Sequence, residues 1–167
     1  MEYNDLEIDP TIQKKIDEIN SVLDEFEKSS GLPALESMKP PTVLNTNIED
    51  LKKKTAEELI EYGWLINQYS LYIQRLINKN KAMERWAKCK LDELTAYYIP
   101  QIEGSFGWNE RTLMARTTPE ACRKLNKFLR IISMRIDRLY EVPANIKVMA
   151  DTVKELRFLA FKREKNE

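Results

Sequence analysis

The stretch from Thr55 to Pro100 constrains the fold more than any other, because its pattern is that of one uninterrupted helix. Thr55 and Glu58 match a capping box at its start, and Pro100 ends it. About 45 residues at 1.5 Å each would span on the order of 65 Å, far more than an ordinary globular helix. Such a helix needs packing partners along its whole length. The sequence therefore predicts an all-α fold in which a long central helix packs, in a coiled-coil-like manner, with two or three shorter helices.

The apolar residues of this helix recur with a heptad period, which is typical of coiled-coil packing. A polar core residue such as Asn80 can fix the register or the number of subunits, and Lys90 marks where the pattern weakens. We therefore predict an oligomerisation surface along the first four heptads. Its residues are Leu59, Tyr62, Ile66, Tyr69, Ile73, Leu76, Asn80 and Met83. Packing of this stripe inside one monomer is the alternative, since the later helices could also cover it.

Capping and proline signals divide the rest of the chain. Asp9 and Pro10 open an amphipathic helix whose apolar residues run from Ile12 to Phe26. Residues 31–47 contain three prolines and little periodicity, which indicates a linker. Further helices are expected from Thr118 to about Tyr140 and from Pro143 onwards. We predict an acidic helical arm (1–30), a linker (31–47) and a helical domain (48–167) that carries the oligomerisation surface.

The composition offers little catalytic chemistry. The chain has no histidine, which removes Ser/His and Cys/His nucleophilic pairs and the common zinc and iron sites of helical proteins. Cys89 and Cys122 lack metal-ligand spacing, and the sequence has no glycine-rich phosphate loop. We expect no enzymatic activity, cofactor or metal. No apolar run is long enough for a membrane span and the acidic N-terminus does not resemble a signal peptide, so we expect a cytoplasmic protein without a membrane partner.

Charge is separated along the chain although its total is zero. Residues 1–58 carry 7 basic and 14 acidic residues, a net of −7, whereas residues 59–167 carry 20 and 13, a net of +7. Between Arg111 and Arg138 there are eight basic and two acidic residues, a local net of +6. A block of one charge sign is typical of a surface that binds a polyanion, and it favours a nucleic-acid partner. We therefore predict that the helical domain (48–167) serves DNA binding as well as oligomerisation.

Two predicted helices each carry a cationic face. On the helix from Thr118 to Tyr140, apolar and basic residues separate onto opposite sides at about 100° per residue. The second half of the long helix also carries mostly basic residues among its charged side chains. Phe106 and Trp108 lie near the block and could stack on bases, although such aromatics often plug a helix end instead. The predicted nucleic-acid-binding residues are Arg75, Lys79, Lys81, Arg85, Lys88, Arg111, Arg116, Arg123, Lys127, Arg130, Arg138, Phe106 and Trp108.

The long helix carries a Trp64-Leu65 pair early in its length, a lysine-rich second half and a Tyr97-Tyr98 pair near its end, and the last helix contains the segment from Ile146 to Met149. In these features, residues 59–155 resemble the single-strand DNA recombination mediators of large tailed bacteriophages. The resemblance implies a ring-like homo-oligomer that binds single-stranded DNA and helps to load a RecA-like recombinase onto DNA covered by single-strand binding protein, in the host cytoplasm. The acidic arm departs from this pattern. The alternative function is that of a structural coiled-coil or virion assembly protein with no role on DNA.

Overall fold

The computed structural model describes residues 8–30 and 39–166, which form helices and turns and contain no strand. The predicted all-α fold with a long central helix is therefore confirmed. The helices are α1 (Pro10–Ser29), α2 (Ile48–Leu51), α3 (Ala56–Tyr98), α4 (Trp108–Thr117), α5 (Glu120–Tyr140) and α6 (Val142–Glu164), with short 3-10 helices at Thr42–Asn45 and Ile99–Gln101.

The helix starts follow the capping residues in the sequence. Asp9 Oδ1 accepts a hydrogen bond from the backbone N–H of Thr11 at 3.0 Å, directly before Pro10 opens α1. At the start of α3, the N–H of Glu58 donates to Thr55 Oγ1 at 3.2 Å, and the N–H of Thr55 donates to Glu58 Oε2 at 2.9 Å. These bonds satisfy backbone donors that the first turn of a helix leaves without partners.

The chain divides into two compact units. Within the described residues, unit 1 comprises 8–30 and 78–137, and unit 2 comprises 39–77 and 138–166. The units do not follow the predicted boundaries at residues 30 and 47, because α1 shares a core with the second half of α3. Each unit takes its helices from separate parts of the sequence.

Unit 1 is built around α1, the second half of α3 and α5. Ile12 and Ile16 of α1 are buried against Met83 and Ala87 of α3 and Phe128 of α5. The first half of the apolar face of α1 thus packs within its own chain. Its second half is less covered, since Ile19 and Leu23 are half-buried and Phe26 is exposed.

Unit 2 is built around the first half of α3 and α6. Leu59, Ile66 and Ile73 are buried in a cluster that includes Val153 and Leu156 of α6. Other members of the predicted oligomerisation surface, Tyr62, Tyr69 and Leu76, are partly buried against the same cluster. This half of the heptad stripe is therefore covered inside one chain, as the alternative interpretation of the sequence allowed.

The segment before α3 is fastened to unit 2. Val43, within the predicted linker, is only 1% exposed and belongs to the core of this unit. Arg163 of α6 donates to the carbonyl oxygens of Lys52 and Lys54 at 3.1 and 3.2 Å. The end of the predicted linker therefore packs as part of a folded unit, while residues 31–38 lie outside the described residues.

Candidate nucleic-acid interface

Unit 1 carries an open groove of about 680 Å³ between α3, the end of α4 and α5, which we call the basic groove. Its lining residues are Glu84, Lys88, Arg116, Thr117, Arg123, Asn126, Leu129, Arg130 and Ser133. Four of them are cationic and one is anionic, a net of +3. Hydroxyl and amide groups make up most of the remainder, so the groove presents positive charge together with neutral hydrogen-bonding groups.

The amphipathic pattern of α5 places two arginines in this groove. Cys122, Leu125 and Ile132 are buried in the core of unit 1, whereas Arg123 and Arg130 are exposed. At about 100° per residue, the two arginines lie roughly 150° around the helix from the centre of the apolar face. The cationic face predicted from the sequence is therefore present on α5, and burial of the opposite face fixes its direction.

Arg116, in the last turn of α4, is held against both neighbouring helices. Its Nη2 donates to Asp92 Oδ1 of α3 at 2.9 Å. Asn126 of α5 donates from Nδ2 to the backbone carbonyl oxygen of Arg116 at 2.8 Å. That carbonyl belongs to the C-terminal turn, where helix acceptors lack partners within the helix. Asn126 thus fastens the end of α4 to α5 beside the two arginines.

Lys88 projects from α3 and pairs with Glu84, one turn earlier, at 2.7 Å. The Glu84 side chain is only 22% exposed and is the one carboxylate that lines the groove. A polyanion that enters the groove would compete with Glu84 for Lys88. Arg123 and Arg130 form no ion pair within the described part of the chain, so their charge is available to an incoming ligand.

Several other predicted nucleic-acid-binding residues are engaged elsewhere in unit 1. Lys79 forms a salt bridge with Asp24 of α1. Arg111 donates from Nη2 to the carbonyl oxygen of Gly104 at 2.7 Å, which makes it part of the loop before α4. Lys127 lines a separate pocket beside α1 that also contains Asp9.

The remaining predicted residues are spread over both units. Lys81 is half-buried and Arg85 is exposed on α3, but neither lines the basic groove. Arg75 and Arg138 belong to unit 2. The structure therefore brings together Lys88, Arg116, Arg123 and Arg130 and leaves the other predicted cations outside the groove.

The two predicted aromatic residues differ in exposure. Trp108, at the start of α4, is 70% exposed. Phe106 is 43% exposed and its ring covers Gly104, whose φ of 110° lies in the region that favours glycine. Trp108 and Arg116 lie on the same helix, within roughly 80° of each other around its axis. Trp108 therefore lies exposed on the helix that positions Arg116 in the groove.

One acidic residue at the start of α1 and one at the start of α5 neutralise a basic residue that was not among the predicted site residues. Lys124 pairs with Glu120 at 2.7 Å and with Asp9 at 3.1 Å. These hydrogen bonds raise the pKa of Lys124, with Glu120 as the larger cause, and lower the pKa of Asp9. Glu120 also lies one turn from Arg123 on α5, and no described residue of α1 lines the basic groove.

Asn126 is the site residue that the sequence did not single out. An asparagine on the surface of a helix is ordinary, and its contact with the Arg116 carbonyl depends on how α4 packs. Ser133 and Thr117 were missed for the same reason. A search for polar residues one turn from Arg123 or Arg130 on α5 would have found Asn126 and Ser133.

No protein-family model matches the chain, and comparisons with curated proteins and with solved structures find no match. Among the described residues, no helix is long and apolar enough to cross a membrane, and no group of Cys, Asp or Glu side chains is arranged to hold a metal ion. The candidate interface thus stands on its geometry and charge alone.

Proposed function

We propose that this protein binds single-stranded DNA through the basic groove and acts as a recombination mediator that helps a RecA-like recombinase to load. The observation that carries the first part is the convergence of Lys88, Arg116, Arg123 and Arg130 on one open groove with a net charge of +3. Phosphate neutralisation by such side chains supplies most of the affinity of non-specific DNA binding.

A single strand suits this groove better than a duplex. Its cations come from three helices, α3, α4 and α5, around a concave surface, whereas a major-groove reader places the side chains of one recognition helix on the base edges. The exposed Trp108 adds a platform on which an unpaired base can stack, an interaction worth about 1–3 kcal/mol per base in single-strand binders. A duplex keeps its bases stacked on each other and cannot use this platform.

Fluorescence anisotropy with labelled single-stranded and duplex oligonucleotides of equal length tests the proposal. Tighter binding of the single strand is expected, with little dependence on base sequence. Changing Arg123, Lys127 and Arg130 together to Glu should abolish binding while the helical circular dichroism stays intact, because all three side chains are exposed. Equal or tighter binding of duplex would refute single-strand preference. Wild-type protein that binds no DNA would favour the structural or virion assembly function.

The mediator role is tested separately, on single-stranded DNA already covered by single-strand binding protein. The wild-type protein should shorten the delay before a RecA-like recombinase from the same biological source assembles on that DNA. The Arg123→Glu, Lys127→Glu, Arg130→Glu variant should not. DNA binding without any effect on recombinase assembly would restrict the function to DNA binding.

A further inference from the structure

Unit 2 exposes a row of large apolar side chains on α3, on the side away from its core. Ile60, Trp64 and Leu71 are 53%, 61% and 56% exposed. At about 100° per residue they fall within roughly 40° of one another and about 135° from the buried residues of the same helix. We call them, with Asn67 between them, the outer stripe. Exposed apolar residues that occur singly are normal, whereas several large ones on the same helix face mark an interaction site.

The outer stripe is symmetric about its midpoint. Ile60 and Leu71 lie at its ends and Trp64 and Asn67 lie inside, so both pairs centre between residues 65 and 66. If a second copy packs its α3 antiparallel on the first, Ile60 of one chain meets Leu71 of the other, and Trp64 meets Asn67. A surface that matches itself in this way is what a two-fold interface requires.

The charges beside the stripe follow the same symmetry. Glu57 and Arg75 are 18 residues apart, which is five full helical turns, so they share one side of α3. Their midpoint is residue 66, within about half a residue of the centre of the stripe. In an antiparallel pair of helices, residues on the same side face each other, so each Glu57 would meet the Arg75 of the other chain. Arg75 also has an interaction within its own chain, which the new pair would join or replace.

We propose that two copies of this chain associate through the outer stripe of α3, antiparallel and two-fold symmetric, with reciprocal Glu57–Arg75 pairs at its ends. This interface lies on the opposite side of α3 from Leu59, Ile66 and Ile73, which unit 2 already buries. It involves no residue of the basic groove. The proposal is therefore independent of DNA binding and assigns the self-association surface to a face that the heptad pattern does not mark.

Sedimentation velocity from about 1 to 100 µM is the first test. The wild-type protein should pass from monomer to dimer, and Leu71→Lys should raise the dimer dissociation constant about tenfold or more because it places a charge in the apolar contact. Leu159→Lys is the matched control, since Leu159 on α6 is 62% exposed but is not part of the stripe. A monomeric wild-type protein at 100 µM, or equal weakening by both variants, would overturn the proposal.

A charge swap then tests the antiparallel register. In the dimer, Glu57→Arg alone would place two arginines opposite each other at both ends of the stripe, and Arg75→Glu alone would place two glutamates there. Each single variant should therefore weaken the dimer. The double variant restores both pairs in reverse and should recover most of the wild-type association. A double variant weaker than either single variant would exclude this register. Circular dichroism shows whether Arg75→Glu disturbs the fold. If it does, Glu57→Arg and Leu71→Lys still test the proposed interface, because both positions are exposed.

Discussion

Removing two arginines from the basic groove should reduce the salt dependence of single-strand binding by a calculable amount. Each phosphate neutralised on a single strand contributes about −0.7 to the slope of log affinity against log salt. If all four groove cations contact phosphates, their slope is about −2.8, and changing Arg123 and Arg130 to Gln should reduce it to about −1.4. Between 50 and 200 mM salt, the groove contribution then falls roughly 50-fold in the wild type but only about sevenfold in the variant.

Fluorescence anisotropy at four or more salt concentrations measures this slope. The matched control changes Lys127 and Arg135 to Gln, since both are exposed on the same helix but lie outside the groove. That control removes the same total charge. An unchanged slope in the groove variant, or an equal reduction in the control, would refute the assignment of phosphate contacts to the groove.

Three further predictions concern the fold of unit 1. Ile16→Ala should lower the free energy of unfolding by about 2–4 kcal/mol because Ile16 is only 5% exposed, whereas Phe26→Ala should change it little; urea unfolding compares them. Gly104→Ala should destabilise the loop before α4 by about 1–3 kcal/mol, because φ is 110° and a Cβ would lie 2.8 Å from the Phe106 ring; amide hydrogen exchange of that loop should accelerate. Lys124 lowers the pKa of Asp9 from its ordinary value of 3.8, so the contribution of the Asp9 carboxylate to the free energy of unfolding is present above pH 3.8 and is lost as the pH falls further. The difference in free energy of unfolding between the wild-type protein and Asp9→Asn should therefore be larger at pH 7 than at pH 3, which urea unfolding at the two pH values measures.

Local signals in the sequence were sufficient for the four longest helices. Capping residues at Asp9 and Thr55 and the stop at Pro100 act within a few residues, so they predict helix limits without tertiary information. The short helix α4 was not predicted, because its ten residues carry almost no amphipathic pattern. Its position depends on packing and on the contact from Asn126.

Tertiary partners were harder to predict than helices. A heptad stripe shows which face of α3 is buried but does not show whether the covering helix belongs to the same chain. Here Val153 and Leu156, about 90 residues later, cover Leu59 and Ile66. The cationic face of α5 was predictable from periodicity, whereas its convergence with Lys88 and Arg116 required the packing of three helices.

The discontinuous make-up of the two units has a consequence for synthesis on the ribosome. Unit 1 has all its described residues once Asp137 has emerged, whereas the core of unit 2 also needs Ile146 to Ala160. Until α6 emerges, the side of α3 that contains Leu59 and Ile66 lacks the cover that Val153 and Leu156 provide. During that interval the nascent protein presents apolar residues on both faces of one helix. This is the stage at which a chaperone would bind it and at which neighbouring chains on one messenger RNA would most readily mispair.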